Sequence, residues 1–555
     1  IDPTDDLAWA VGRDETPYSG AVEWGATKAD FSRVNLATGE RTPIERGLSR
    51  TLGLSPDGKW FVYLKAGRLY AYELATGAKN VIDGGRSFVN AEDDHDYEKP
   101  IYGLAGFSSD GKSALAYDRY DLWALPLAGG QPVCLTKGEG AKQEIRYRVV
   151  QLGGRGGGGR GGGGRGGGAS QEPIDLAKPV LLSAFGEWTK KSGFSELQPG
   201  QAPTSLLLLD KAVGTPIAAK NADRVIFTQQ TFNEYPNYWV ADKRMASPRQ
   251  VTDAMPDIFK DFAWGTKKLI DFKNSRGVKL QATLTLPAGY EPGKKYPMLV
   301  YFYELVSDTH HNFSFPVYDD RPHMSTYASN GYLVLQPDVR YVIGKPGTSA
   351  LDCVTSAVKK VIELGYADPK RVGLQGHSWG GYQSSFIVTQ TDMFAAVVTG
   401  APPTDLTSFV GTLYRSSGTL QQGITEVGQV RMGKDATPWS AKALYESQSP
   451  IHNAPKITTP FMILHGTADG SVDYGQGLEF YAAARRLGKQ VILLSYPDEA
   501  HHLGKKENQK DFQIRMRQFF DHYLKGEPAP LWMTEGVPQL RKGQDPLILP
   551  PPEKK

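Results

Sequence analysis

The stretch 373-GLQGHSWGGYQSS-385 holds Ser378 between Gly376 and Gly380, with His377 before it and Trp379 after it. The bare pattern G-x-S-x-G is weak: with 62 Gly in 555 residues, roughly 0.4 matches arise by chance. Its surroundings decide the reading. RVGLQG (371–376) is a short apolar run with the character of a buried strand, and GGYQSSFIVTQTD (380–392) reads as a helix. A sharp strand–turn–helix junction leaves no space for side chains beside the residue at its apex. Gly376, Gly380 and Gly381 provide that space. The helix N-terminus beneath the serine favours the anion that forms when a hydroxyl attacks a carbonyl.

Outward from this junction, strand-like and helix-like runs alternate. PMLVYFYE (297–304), GYLVLQPD (331–338), AAVVTGAP (395–402), PFMILHG (460–466) and QVILLSYP (490–497) read as buried strands. SALDCVTSAVKKVIELG (349–365), YGQGLEFYAAARRLG (474–488) and ENQKDFQIRMRQFFDHYLKG (507–526) read as helices. In the last, Phe512, Met516, Phe519, Phe520 and Tyr523 repeat along one face. The pattern predicts a doubly wound, mostly parallel α/β domain over 271–530.

A serine hydroxyl needs a base, and the base needs an orienting acid. In this fold they follow in the order Ser, Asp, His. Asp469 comes first after the strand PFMILHG, ahead of Asp473. DEAHHLG follows the strand QVILLSYP and offers His501, which is favoured, and His502. All fall past C-terminal strand ends, where open α/β sheets place their sites. His377 is expected to pack on the junction and His465 to orient a loop.

The first 270 residues have another rhythm. Strand-plus-turn phrases recur (RVNLATGERTPI from Arg33, RLYAYELATGAKNVI from Arg68, DLWALPLAGGQPVCLT from Asp121). LSPDGKWFVYL (54–64) and FSSDGKSALAY (107–117) share an SxDG turn, 53 residues apart. Such repeats predict an all-β propeller with five or six blades before residue 265. Within it, GGRGGGGRGGGGRGGG (153–168) reads as a flexible insert. Its three arginines have no interleaved aromatics, which argues against a nucleic-acid tract. AEDDHDYE (91–98) reads as a solvated loop, and the Pro-rich tail 531–555 as irregular structure.

Composition narrows the classes. A net charge of +3, with 63 basic against 60 acidic residues, gives no bias toward nucleic acid or an anionic membrane. Cys134 and Cys353 make neither a disulfide framework nor a structural zinc site. No apolar run is long enough to span a bilayer. The chain opens IDPTDD, which leads to the expectation of a removed leader or trimming, and of a periplasmic or secreted location.

DPKRVGLQGHSWGGY (368–382), PFMILHGTADGSV (460–472) and DEAHHL (498–503) together resemble the prolyl oligopeptidase family of serine peptidases. The resemblance implies an N-terminal propeller that restricts entry to short peptides, joined to a C-terminal α/β hydrolase. It implies a triad of Ser378, Asp469 and His501. It also implies an oxyanion hole made by the Trp379 N–H and the Tyr303 hydroxyl, with Tyr301 as the competitor. An apolar substrate pocket would lie against Trp379 and include Leu406, Phe409 and Tyr414. Ser471 stands where proline-specific members carry Arg or Asn, so strict cleavage after proline is not expected. In aminopeptidase-type members propeller carboxylates hold the substrate amine, a role open to Asp93, Asp94 or Asp96. No metal or organic cofactor is expected. The expected partner is a peptide substrate, with no nucleic acid and no membrane; a homo-oligomer is left open. The rivals are an esterase on the same triad and a propeller binding protein with a silent hydrolase domain.

Overall fold

Short strands joined by tight turns build the N-terminal unit, residues 1–93 and 97–255. The structure is a computed structural model and describes residues 8–22, 28–152, 172–255 and 257–536. The insert 153–168 and the tail beyond 536 lie outside the described residues. Among the described residues, five antiparallel sheets follow one another along this unit, with strands lying between 9 and 48, 50 and 81, 104 and 134, 145 and 209, and 212 and 250. In the first four of these sheets, strands adjacent in sequence are adjacent in space, as in propeller blades. The SxDG phrase folds identically in two successive blades. Ser55 Oγ donates to Asp57 at 2.6 Å and accepts from the Trp60 N–H at 2.9 Å. Ser108 Oγ donates to Asp110 at 2.6 Å and accepts from the Ser113 N–H at 3.0 Å. Gly58 and Gly111 take the left-handed conformation that closes each turn.

The second unit comprises 94–96 and 256–555. Its sheet has eight strands: β1 (Thr266–Lys273), β2 (Lys279–Leu286), β3 (Tyr296–Tyr301), β4 (Leu333–Pro337), β5 (Ala367–His377), β6 (Ala396–Gly400), β7 (Phe461–Gly466) and β8 (Val491–Tyr496). Their spatial order is β1-β2-β4-β3-β5-β6-β7-β8, parallel from β4 onward. The expected boundary at 270/271 cuts β1. That strand pairs along its whole length with β2, so the hairpin belongs to the sheet and the division falls at 255/256.

The main helices are α1 (Pro346–Glu363), α2 (Trp379–Val388), α3 (Leu406–Val410), α4 (Tyr474–Arg486) and α5 (Lys506–Phe520). Side chains of β3 alternate between two cores. Met298 and Val300 pack with Val354 and Val358 of α1, and Leu299 packs with Phe512, Met516, Phe519 and Phe520 of α5. The apolar stripe of α5 thus seals one face of the sheet. The tail is not irregular from its start: Leu531–Thr534 forms a helical turn, and its Trp532 is buried in the same core. Among the described residues no helix is long and apolar enough to cross a membrane.

Candidate active site

Ser378 follows the last residue of β5 and caps α2, with φ +59° and ψ −118°. A non-glycine residue pays strain in this region. The surroundings impose it: the Ser378 N–H donates to the Gly400 carbonyl of β6 at 2.8 Å. A methyl on Gly376 would lie 2.0 Å from the Gly380 carbonyl oxygen, and one on Gly381 would lie 2.2 Å from that of Gly400. The junction closes only because these positions carry no side chain.

The loops after β7 and β8 complete a continuous relay. His501 Nε2 lies 2.8 Å from Ser378 Oγ, and its Nδ1 lies 2.8 Å from Asp469 Oδ2. Asp469 is buried, and its Oδ1 accepts the N–H groups of Ser471 and Val472 at 2.8 and 2.9 Å. Burial alone would raise its carboxyl. Hydrogen bonds from His465 and His501, the charge of His501 and the Val472 N–H together hold it well below the usual carboxylate range. It therefore remains an anion facing the imidazole. Asp473 lies outside the relay, capping α4 through the Gly475 N–H at 2.8 Å and pairing with Arg415 at 2.7 Å.

Two buried histidines brace the relay. His465 Nε2 lies 3.1 Å from the Val472 carbonyl and 3.4 Å from Asp469 Oδ2. Its Nδ1 has no partner and faces Gly477, where an added methyl would sit 2.4 Å away. No acceptor reaches Nδ1, so the proton belongs on Nε2. His377 repeats the arrangement: Nε2 donates to the His501 carbonyl at 2.9 Å, and Nδ1 faces Gly400. His502 turns away from Ser378 and binds Asp320 at 2.8 Å, with its ring 4.8 Å from that of His377. Among the described residues, His377, His501 and His502 form the one group of three with metal-ligand atoms mutually within 4.8 Å. Each already makes the hydrogen bonds above.

The hydroxyl of Tyr303, two residues past β3, accepts from Gln429 Nε2 at 3.1 Å and lies near enough to Ser378 to be perturbed by its side chain. Burial raises its pKa, so it stays a protonated donor. Burial raises the Tyr301 hydroxyl well above its ordinary range, with Arg321, Asp320 and Asp319 among the charges near it. The N–H of Trp379, first residue of α2, has no intrahelical acceptor.

The expected pocket needs correction. The Trp379 indole is 2 % exposed, stacks on Tyr382 at 4.6 Å and donates to the Tyr341 hydroxyl at 2.9 Å. It leaves no face for a substrate. Leu406 and Phe409, on α3, are buried in the main hydrolase core. Asp405 caps that helix through the Thr407 N–H and turns its apolar side inward. Tyr414 lies near enough to Tyr303 to perturb its hydroxyl. Ser471 is bound through its backbone, to Asp469 and to Gln421.

Several residues of the site carried no signal in the sequence. Arg431 is 2 % exposed and pairs with Asp94 at 2.8 Å and Glu304 at 3.2 Å, and its guanidinium lies 4.3 Å from the centre of the Tyr341 ring. Asp94 is thus a counter-ion rather than a solvated residue, and Asp96 accepts the Lys434 N–H at 2.7 Å. Chemically, the site combines a hydroxyl, a base with an oriented tautomer, a buried anion and two donors beside the nucleophile. These are the parts needed for acyl transfer.

A profile of the prolyl oligopeptidase family (Peptidase_S9) matches residues 320–527. The uncharacterized peptidase YuxL of Bacillus subtilis is 24 % identical over 298 residues, which cover 50 % of this chain and 42 % of YuxL. The acylamino-acid-releasing enzyme of Arabidopsis thaliana is 26 % identical over 183 residues, 33 % of this chain and 24 % of that enzyme. The chain therefore spans less than half the length of these curated relatives. Dipeptidyl peptidase 4 of Porphyromonas gingivalis matches the fold with a TM-score of 0.64 at 17 % identity, over 90 % of this chain and 67 % of that one. The fold is a β-propeller joined to an α/β hydrolase. The matched segment contains Ser378, Asp469 and His501 together, and over residues 320–527 the chain is similar to the prolyl oligopeptidase family.

Proposed function

We propose that the protein is a serine peptidase that hydrolyses short peptides through an acyl-enzyme on Ser378. His501 takes the Oγ proton as the serine attacks the scissile carbonyl. Asp469 fixes the imidazole tautomer and stabilises its cation. The imidazolium then protonates the leaving amine, and water, activated by the same histidine, releases the acyl group. The developing oxyanion is met by the Trp379 N–H and the Tyr303 hydroxyl, each contributing about 3 kcal/mol to the transition state.

The observation that carries this reading is the unbroken relay, with two contacts of 2.8 Å joining three loops far apart in sequence. The relatives' names, which are those of peptidases, support an amide rather than an ester substrate. The test is digestion of a mixed peptide library, with products read by mass spectrometry. The wild-type chain should generate new peptide termini, and Ser378→Ala should generate none while keeping its melting temperature. Cleavage that persists in Ser378→Ala would exclude the mechanism.

A further inference from the structure

Tyr303 is held at both ends. Its carbonyl accepts from Gln383 Nε2 of α2 at 2.8 Å and lies 3.2 Å from the Tyr341 hydroxyl. Its hydroxyl oxygen accepts from Gln429 Nε2 at 3.1 Å. The same Gln429 nitrogen lies 3.2 Å from Glu304 Oε1.

We propose that Gln429 is a positioning residue that aims the Tyr303 hydroxyl proton at the oxyanion formed on the Ser378 adduct. This rests on the oxyanion role given to Tyr303 above. The argument is one of donors and acceptors. Glu304 is paired with the Arg431 guanidinium, and a carboxylate can only accept. The Gln429 amide must therefore turn its NH2 group toward Glu304, which aims the second N–H at the phenol oxygen. A phenol oxygen that receives this hydrogen bond points its own proton away from Gln429, leaving it free for the oxyanion role proposed above. Arg431 secures the arrangement from behind: its Nη1 donates to the Gln429 carbonyl at 2.6 Å while its other nitrogens bind Asp94 and Glu304. The chain Arg431–Glu304–Gln429–Tyr303 thus orders a single proton.

The test is a double-mutant cycle on a cleaved peptide. Tyr303→Phe should lower kcat about 100-fold, as expected for an oxyanion donor. Gln429→Met should lower kcat about tenfold with KM unchanged, an effect typical of one hydrogen bond. In the Tyr303→Phe background, Gln429→Met should change nothing further. An unchanged kcat in Gln429→Met, or the same loss with and without the tyrosine hydroxyl, would overturn the proposal. If Tyr303→Phe itself leaves kcat unchanged, the oxyanion role fails and the proposal fails with it. Thermal melting checks that each variant folds. If Gln429→Met does not fold, Gln429→Asn, which keeps the amide but shortens its reach, should give the same pattern.

Discussion

The junction at Ser378 and the segment 421–434 are held by opposite means. At the junction backbone packs on backbone, Gly376 against Gly380 and Gly381 against Gly400, without room for a methyl. In the segment, side-chain charge holds the chain: Arg431 is buried between two carboxylates and over an aromatic ring. Steric closure tolerates nothing, because a clash with backbone cannot be relieved by a rotamer. Charge-held structure yields by degrees, and it responds to pH.

The largest effect should come from the first region. Gly381→Ala puts a methyl into the Gly400 carbonyl and should destabilise the hydrolase unit by about 4 kcal/mol or more, if folded protein is recovered at all. Urea unfolding measures this, and a loss below about 1 kcal/mol would mean that the junction can relax. Arg431→Met removes the cation shared by Asp94 and Glu304 and should cost about 3 kcal/mol. A near-neutral result would show that packing, not charge, holds the segment.

Titration probes the junction itself and helix α4. Burial pushes the His377 pKa down to about 4 against the pull of Asp320, with His501 and His502 adding to the depression. In the unfolded chain the same ring titrates near 6.5. Between these values the unfolded state binds the extra proton, so stability should fall as pH drops from about 6.5 to 4, by about 2 to 3 kcal/mol. Melting temperatures across that range check it, and His377→Phe should flatten the slope. The smallest effect concerns Glu479 on α4, which accepts from Ser408 at 3.0 Å. Burial, helped by Asp405 and Asp473, raises its pKa to about 7. Stability from this group is full below its ordinary pKa and is lost as pH rises through 7. Glu479→Gln should therefore stabilise the protein at pH 8 by no more than about 1 kcal/mol, and not at pH 5. Equal effects at both pH values would contradict the raised pKa.

The same contrast explains what could be read from the chain. The junction is legible because its constraints are local: strand, glycines, serine, glycines and helix lie within a dozen residues. The blade turns are legible because each SxDG supplies its own hydrogen bonds, and α5 because its apolar period needs no partner. Leu406 and Phe409 lie in the core, which the sequence does not distinguish from a pocket, because an apolar residue after a strand looks alike whether it faces substrate or core. The boundary at 270/271 failed because an edge hairpin of an α/β sheet has the same alternation as a propeller strand. Gln429 and Arg431 were invisible. Neither has a period or a motif, and Asp94, which pairs with Arg431, lies 337 residues away in sequence.

The central claim is that Ser378 is activated by His501. Labelling with a fluorophosphonate probe, read by intact mass and peptide mapping, tests it most directly. The account predicts one adduct on the wild-type chain, located at Ser378, lost in Ser378→Ala and strongly slowed in His501→Ala. An unlabelled wild-type chain, or labelling that proceeds at full rate without the His501 imidazole, would contradict it.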